Sequence, residues 1–324
     1  MVHGIVIHEF GGPEVLKYEE IDVGAPGPGQ VRLRQTAVSL NFADIQMRLG
    51  AYYVMKLELP AIPGVDGVGI VEELGAGVTD LKPGQHVAYA GVIGAYAGER
   101  LIPADRLVVI PEGLDDVNVA AAFLKGLTVQ YLVTQSYPIR AGETVLIHSA
   151  AGGVGVLLCQ WAKHLGAKII GTVGSDAKIE VAKQSGCDHV INYSTGNFAK
   201  EVLELTDGVG VPVVYDAVGR ATFAGNIESL AIRGHLINYG HASGALEPID
   251  AAQINSKSLF FNKSSLVHYM RTREDIERMT GDLFGVLQQG VLKPSVNTYA
   301  LSEAAKAQQD MADRTTTGST VLVP

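Results

Sequence analysis

The chain has 324 residues, more than one hydrophobic core usually organises, so two domains are the first expectation. With 47% hydrophobic and 18% charged residues, its composition is that of a globular protein and excludes extended disorder. The 34 acidic against 25 basic side chains leave a net charge of -9, which argues against a nucleic-acid role, although a few local cations can still hold a cofactor phosphate.

The start, Met1-Val2-His3-Gly4-Ile5, lacks the basic flank and apolar run of a secretory signal, and no stretch of about eighteen apolar residues follows. The reading is a cytoplasmic protein with no membrane partner. Up to about residue 125 the chain is rich in Gly, Pro, Val and Ile, with short β-like runs at 31–34 and 69–72. The loop Ala25-Pro26-Gly27-Pro28-Gly29-Gln30 precedes the first run, and a polar segment, Ser39-Leu40-Asn41-Phe42-Ala43-Asp44-Ile45-Gln46-Met47-Arg48-Leu49-Gly50, lies between the two. Asp44 and Arg48 stand at i and i+4, the spacing of an ion pair on a helix surface.

From about residue 124 to 263, short apolar runs alternate with longer amphipathic ones, the pattern of strands joined by crossover helices. Strands are expected at 144–148, 168–173, 189–192, 213–217 and 235–239, so the predicted class is α/β, a doubly wound parallel sheet beside a mainly β domain. The first strand runs into His148-Ser149-Ala150-Ala151-Gly152-Gly153-Val154-Gly155 and then into a helical pattern. Against G-x-G-x-x-G this places Ala150, Gly152 and Gly155 at the three fingerprint positions, with helix N–H groups left for a pyrophosphate. After the second strand, Val173-Gly174-Ser175-Asp176-Ala177-Lys178 has no carboxylate directly at the tip, where an NAD enzyme holds a ribose hydroxyl. Gly174 and Ser175 leave room for a 2′-phosphate, Lys178 supplies charge and Tyr193 a hydroxyl, which favours NADPH over NADH. Asp176 is the residue that argues the other way.

Ser258-Leu259-Phe260-Phe261 reads as an apolar edge strand that a second copy would cover, giving a homodimer. Beyond it, helical patterns at 273–289 and 303–312 and the apolar end 320–323 are too short for a third core and are expected to return to the first domain. The boundaries are therefore 1–125, 126–263 and 264–324. Cys159 and Cys187 sit in helix-like surroundings and read as buried free thiols. Two distant cysteines and the scattered His3, His8, His86 and His241 offer no ligand cluster, so no zinc is expected.

Several segments carry a family likeness: the run from Ser39 to Gly50, Gly64-Val65-Asp66-Gly67-Val68-Gly69, Gly75-Ala76-Gly77-Val78 and Phe123-Leu124-Lys125-Gly126-Leu127-Thr128. Others are the Gly-rich turn, Gln160-Trp161-Ala162-Lys163 and Thr317-Gly318-Ser319. In this order, over essentially the whole chain, they resemble the quinone oxidoreductases of the zinc-independent branch of the medium-chain dehydrogenase/reductase superfamily. The resemblance implies a GroES-like catalytic domain, a Rossmann domain for NADPH, a cleft between them and usually a homodimer. It further implies that Asn41 and Lys125 to Thr128 face the nicotinamide, and that Gly152, Gly153, Val154 and Gly155 face the pyrophosphate. Gly174, Lys178 and Tyr193 would surround the adenosine phosphate, Gly240 and Ser243 would follow the fifth strand near the nicotinamide ribose, and Lys263 and Arg314 would be further cofactor contacts. The chain departs from the pattern at Gln46, Asp66 and Lys263, where tyrosine, glutamate and arginine are common.

Without a Lewis acid the substrate must already be electrophilic, as a quinone is, and the protein's part is to orient it, exclude water and donate hydrogen bonds to developing charge on oxygen. Asn41 is the first candidate donor, with Asp44 and Tyr52 on the polar rim. Two other readings remain open: an NADPH-dependent enone or alkenal reductase, and a non-catalytic, crystallin-like or RNA-binding protein that holds NADPH.

Overall fold

The computed structural model describes residues 1–51 and 57–324. The chain forms two units, one of Met1–Lys125, Leu283–Gln288 and Pro294–Pro324, the other of Gly126–Asp282 and Gln289–Lys293.

In the first unit, β1 (Val2–Val6) and β2 (Lys17–Ile21) form an antiparallel ribbon. The main sheet is built from β3 (Gln30–Leu40), β4 (Asp66–Leu74), β5 (His86–Ala90), β6 (Glu99–Pro103) and β7 (Val108–Val109). Its order is Val296–Ala300, Ser319–Val323, β3, β4, β5, β7, with β6 paired to the first half of β3. Alternation dictates how β3 packs: Val31, Leu33 and Gln35 point inward, while Arg32 and Arg34 pair on the outer face with Glu73 at 2.5 Å and Glu72 at 2.6 Å. Helix α1 (Phe42–Arg48) follows β3 directly, and the helix Ala304–Ala312 packs against it.

The second unit is a six-stranded sheet of β8 (Thr144–Ile147), β9 (Lys168–Val173), β10 (His189–Asn192), β11 (Val211–Asp216), β12 (Leu230–Asn238) and β13 (Phe260–Lys263). Every pairing is parallel and the order is β10-β9-β8-β11-β12-β13, so counting from β8 the strands run 3-2-1-4-5-6, the Rossmann arrangement. Continuous apolar runs such as Val145-Leu146-Ile147 are fully buried because helices cover both faces. The long helix α2 (Asp116–Tyr131) precedes β8, and α3 (Gly153–His164) crosses over to β9. Next come α4 (Ile179–Gln184), α5 (Phe198–Leu205), α6 (Phe223–Ser229) and α7 (Ala251–Asn255).

Three expectations are corrected. Strand β12 begins at Leu230 rather than 235, because a register shift and the left-handed Arg233 (φ 62°) carry the strand through Arg233 and Gly234, which break the apolar pattern. The second unit also keeps the chain to Asp282, past 263. There Tyr269 stacks on Tyr131 with ring centroids 4.1 Å apart and meets Ser136 at 2.8 Å, and Gln130 donates to Asp282 at 2.9 Å. Finally, Cys159 lies in α3, but Cys187 lies in the turn before β10; both thiols are free and buried, their sulfurs 3.4 Å apart.

The helical run Asp116–Ser136 has the length and apolarity to cross a membrane, yet 78% of its most apolar window is buried, as in the core helix of a globular protein.

Candidate functional site

Because every strand of the second sheet points the same way, all the polar loops that follow them gather at one edge. The Gly-rich turn follows β8, Gly174, Ser175 and Lys178 follow β9, Tyr193 follows β10, and Gly240 and Ser243 follow β12. Lys263 ends β13. The order reverses at β8, which lies between β9 and β11, and such a switch point opens a crevice at the carboxyl ends of the strands.

The turn itself is tightly built. Ser149 takes a left-handed conformation (φ 54°), and its carbonyl oxygen accepts from Gly152 N at 2.9 Å. A Cβ on Gly155 would lie 2.0 Å from that same oxygen, so only glycine lets α3 start so close to the strand end. Gly152 caps α3 without a side chain, and no acidic residue stands in the first turn. The first N–H groups of α3, from Gly153, Val154 and Gly155, therefore lack an intrahelical acceptor and present the positive end of the helix dipole. This is an arrangement that fits a pyrophosphate. At the tip of β9, a Cβ on Gly174 would lie 3.0 Å from the Tyr193 hydroxyl, which places that hydroxyl beside the glycine. Asp176 accepts from Asn192 Nδ2 at 2.8 Å and is thereby tied to the end of β10. Lys178 is partly buried in the turn that leads into α4, and Thr128 is buried on α2. The Lys263 ammonium donates to Asn238 Oδ1 at 2.5 Å and reaches Gly240 O at 3.5 Å.

The first unit holds a second cluster around Asn41, the residue that opens α1. Its backbone N–H donates to Asp44 Oδ2 at 2.8 Å, and its amide Nδ2 donates to Asp66 Oδ1 at 2.6 Å. Tyr96 donates to Asp44 Oδ2 at 3.0 Å and accepts from Gln308 at 3.3 Å. Lys125, buried on α2, donates to Ser39 Oγ at 2.6 Å. Asp44 and Asp66 are both fully buried, and each has one oxygen without a hydrogen-bond partner among the described residues. Burial pushes the Asp44 carboxyl up to about 7, against the lowering effect of the Asn41 N–H, Tyr96 and Lys125. Asp66 moves upward for the same reason, opposed by Lys125 and reinforced by Asp44, while burial lowers the Lys125 ammonium against the pull of both carboxylates. Two carboxylates beside one buried amine can share a proton near neutral pH.

Asp44 and Arg48 do not form the expected surface ion pair. Both are buried; Asp44 turns to Asn41 and Tyr96, and two guanidinium nitrogens of Arg48 have no hydrogen-bond partner among the described residues. Arg314 belongs to the first unit, in a left-handed conformation (φ 60°) just after the helix Ala304–Ala312. Tyr52 lies outside the described residues. Sequence reading missed Tyr96, Gln308, Asp216 and Asn238 and treated Asp66 only as a departure. For Asp216 and Asn238 a signal existed, since each is the polar residue closing an apolar strand.

Because the folded Asp44 carboxyl keeps its proton to about 7 and an ordinary one loses it near 3.8, its contribution to stability is complete below about 3.8. That contribution is lost as pH rises through about 7. Asp44→Asn removes the ionisation and can still accept from Asn41 and Tyr96. The variant's melting temperature relative to wild type is therefore expected to rise by at least about 2 °C between pH 5 and pH 8. Scanning calorimetry showing the same difference at both pH values would refute this account of Asp44.

A family model described as alcohol dehydrogenase GroES-like domain matches residues 27–112, and one described as zinc-binding dehydrogenase matches 153–284. Among the described residues no three His, Cys, Asp or Glu side chains are grouped to hold a metal ion, so the donor set does not fit zinc and no step is derived through it. The chain is 45% identical to a 2-haloacrylate reductase of a Burkholderia species, covering 100% of this chain and 99% of the relative. It is 44% identical to a quinone oxidoreductase of Pseudomonas aeruginosa, covering 100% of both. The crystal structure of Escherichia coli quinone oxidoreductase complexed with NADPH superposes with a TM-score of 0.96 at 38% identity, covering 99% of this chain and 100% of the other. The chain belongs to the quinone oxidoreductase family of the medium-chain dehydrogenase/reductase superfamily.

Proposed function

We propose that this protein is an NADPH-dependent oxidoreductase that reduces quinones. The observation that carries the reading is the glycine turn at the switch point of the Rossmann sheet, on a chain that matches quinone oxidoreductases over its full length. NADPH, when bound, supplies the hydride. In this reading the first N–H groups of α3 hold its pyrophosphate, and Gly174, Ser175, Lys178 and Tyr193 surround its 2′-phosphate. Thr128, Gly240, Ser243 and Lys263 serve the nicotinamide end, and Arg314 is a further contact. In the first unit, which we take as the catalytic domain, Asn41 donates to the substrate oxygen as negative charge develops there. Asp44 and Lys125 hold and orient Asn41 and its neighbours, and the shared proton of the carboxylate pair lies close to it. Tyr52 completes the polar rim. We place the protein in the cytoplasm, where its two thiols stay reduced.

The 45% identity to a 2-haloacrylate reductase favours a second reading, reduction of a C=C bond activated by a carbonyl or carboxyl group. NADPH oxidation followed side by side with 1,4-benzoquinone, a small enone and 2-chloroacrylate decides between them. Turnover is expected to be fastest with the quinone and unchanged by a chelator. Faster turnover of either alkene would favour the second reading, and loss of activity with chelated metal would overturn the zinc-free mechanism.

Phe260, 49% exposed on the edge strand β13 and stacked on His235 at 4.5 Å, supports a homodimer formed through this edge. Light scattering at micromolar concentration is expected to give twice the chain mass, and a monomer there would reject the dimer.

Cofactor choice tests the residue assignments. A charge-assisted hydrogen bond contributes roughly 1.5 to 3 kcal/mol, so NADPH is expected to bind at least about tenfold more tightly than NADH. Lys178→Ala is expected to erase most of that difference and leave NADH binding nearly unchanged. Equal binding of both cofactors by wild type, or a variant that weakens both alike, would show that Lys178 does not read the phosphate.

A further inference from the structure

Asp216 closes β11, next to the strand at which the sheet order reverses, and its carboxylate is wholly buried. Val218 N at 2.8 Å, Gly219 N at 3.1 Å and Thr222 Oγ1 at 3.0 Å donate to one oxygen, and Asn238 Nδ2 donates to the other at 3.0 Å. The first three bonds fix the loop between β11 and α6. The fourth fixes the sense of an amide. A carboxylate accepts and does not donate, so Asn238 must turn its NH₂ toward Asp216 and its carbonyl oxygen away. That oxygen is the one the Lys263 ammonium meets at 2.5 Å.

The loop after β12 is bound into the same assembly. Tyr239 N donates to Asp216 O at 3.0 Å, and Ser243 donates to Val218 O at 2.8 Å from both its backbone and its hydroxyl. Lys263 reaches Gly240 O at 3.5 Å. A Cβ on Gly240 would lie 2.6 Å from Ala217 O, so the two loops already touch. The charge of Asp216 is felt by Lys263, by the buried His148 at the end of β8 and by Tyr239.

We infer that Asp216 is the positioning residue of the dinucleotide site, ordering the Asn238 amide so that the Lys263 ammonium and the 240–243 loop stay in the geometry that receives the nicotinamide half of the cofactor. The inference rests on the dinucleotide reading of the second unit. Asp216 acts through Asn238 and Lys263 and touches neither cofactor nor substrate. In Asp216→Asn the acceptor-only partner is lost and the Asn238 amide keeps only its 3.3 Å bond to Asp216 O and its contact with Lys263, so the acceptor offered to the ammonium is held less firmly.

The test is a double-mutant cycle on the full-length protein, with NADPH binding read by nicotinamide fluorescence and folding checked by circular dichroism. Asp216→Asn and Lys263→Met are each expected to weaken NADPH binding about tenfold, and adding Asp216→Asn to Lys263→Met to change it by less than about twofold. In turnover, the KM for NADPH is expected to rise in Asp216→Asn with the KM for quinone unchanged. Losses that multiply in the double variant, or wild-type affinity in Asp216→Asn, would overturn the inference. Should Asp216→Asn fail to fold, Asn238→Ala takes its place and must show the same non-additivity with Lys263→Met, additive losses again refuting it. Wild-type protein that binds neither NADPH nor NADH would instead overturn the dinucleotide reading, and this inference with it.

Discussion

The parallel register of the second sheet is the constraint on which the candidate cofactor site depends. Parallel strands cannot be joined by tight turns, so each must be followed by a crossover, and every crossover here starts from the same edge. Residues far apart in sequence, from the glycine turn at 152–155 to Lys263, are thereby delivered to one line of loops. The reversal at β8 separates the loop after β8 from the loop after β11, leaving room where α3 exposes its first N–H groups. The left-handed Ser149 and the steric exclusion of any side chain at Gly155 are local consequences of forcing a helix to begin so close to a strand end.

Buried carboxylates appear in both units, in two different states of satisfaction. Asp216 has donors on both oxygens, and such a group suits the holding of geometry, because one oxygen fixes the loop after β11 and the other the Asn238 amide. Asp44 and Asp66 each have one buried oxygen without a hydrogen-bond partner among the described residues. An ionised carboxylate with an unpaired buried oxygen is costly, which is why burial dominates their upward displacement and why the pair tends to keep a proton. Groups that change protonation near neutrality cluster at functional sites, and buried structural networks shift them too.

Relatives of nearly equal identity bear the names of a quinone oxidoreductase and a 2-haloacrylate reductase. A shared scaffold thus supports reduction of different electrophiles, and the choice among them falls to a small number of side chains rather than to the architecture. On this chain the departures at Gln46 and Asp66 lie on or beside the Asn41 cluster: Gln46 is on α1, and Asp66 accepts the Asn41 amide directly.

The sequence alone determined the class of fold, the glycine turn and the small residues after β9, because each is written in local pattern: apolar runs at strand length, helical periodicity, and glycine where a side chain cannot fit. It missed the first five residues of β12, where Arg233 and Gly234 interrupt the pattern although the strand continues through a bulge. It read Asp44 and Arg48 as a surface pair because spacing along a helix says nothing about which face is buried. Only the tertiary structure decided that Asp44 turns inward to Tyr96, that Asp66 holds the amide of Asn41, and that Lys263 is held by Asn238 rather than standing alone. These contacts join residues between 25 and 52 positions apart. The physical reason is that the ionisation of a buried group and the sense of an amide are set by partners from other elements, and chain order carries no record of which elements will meet.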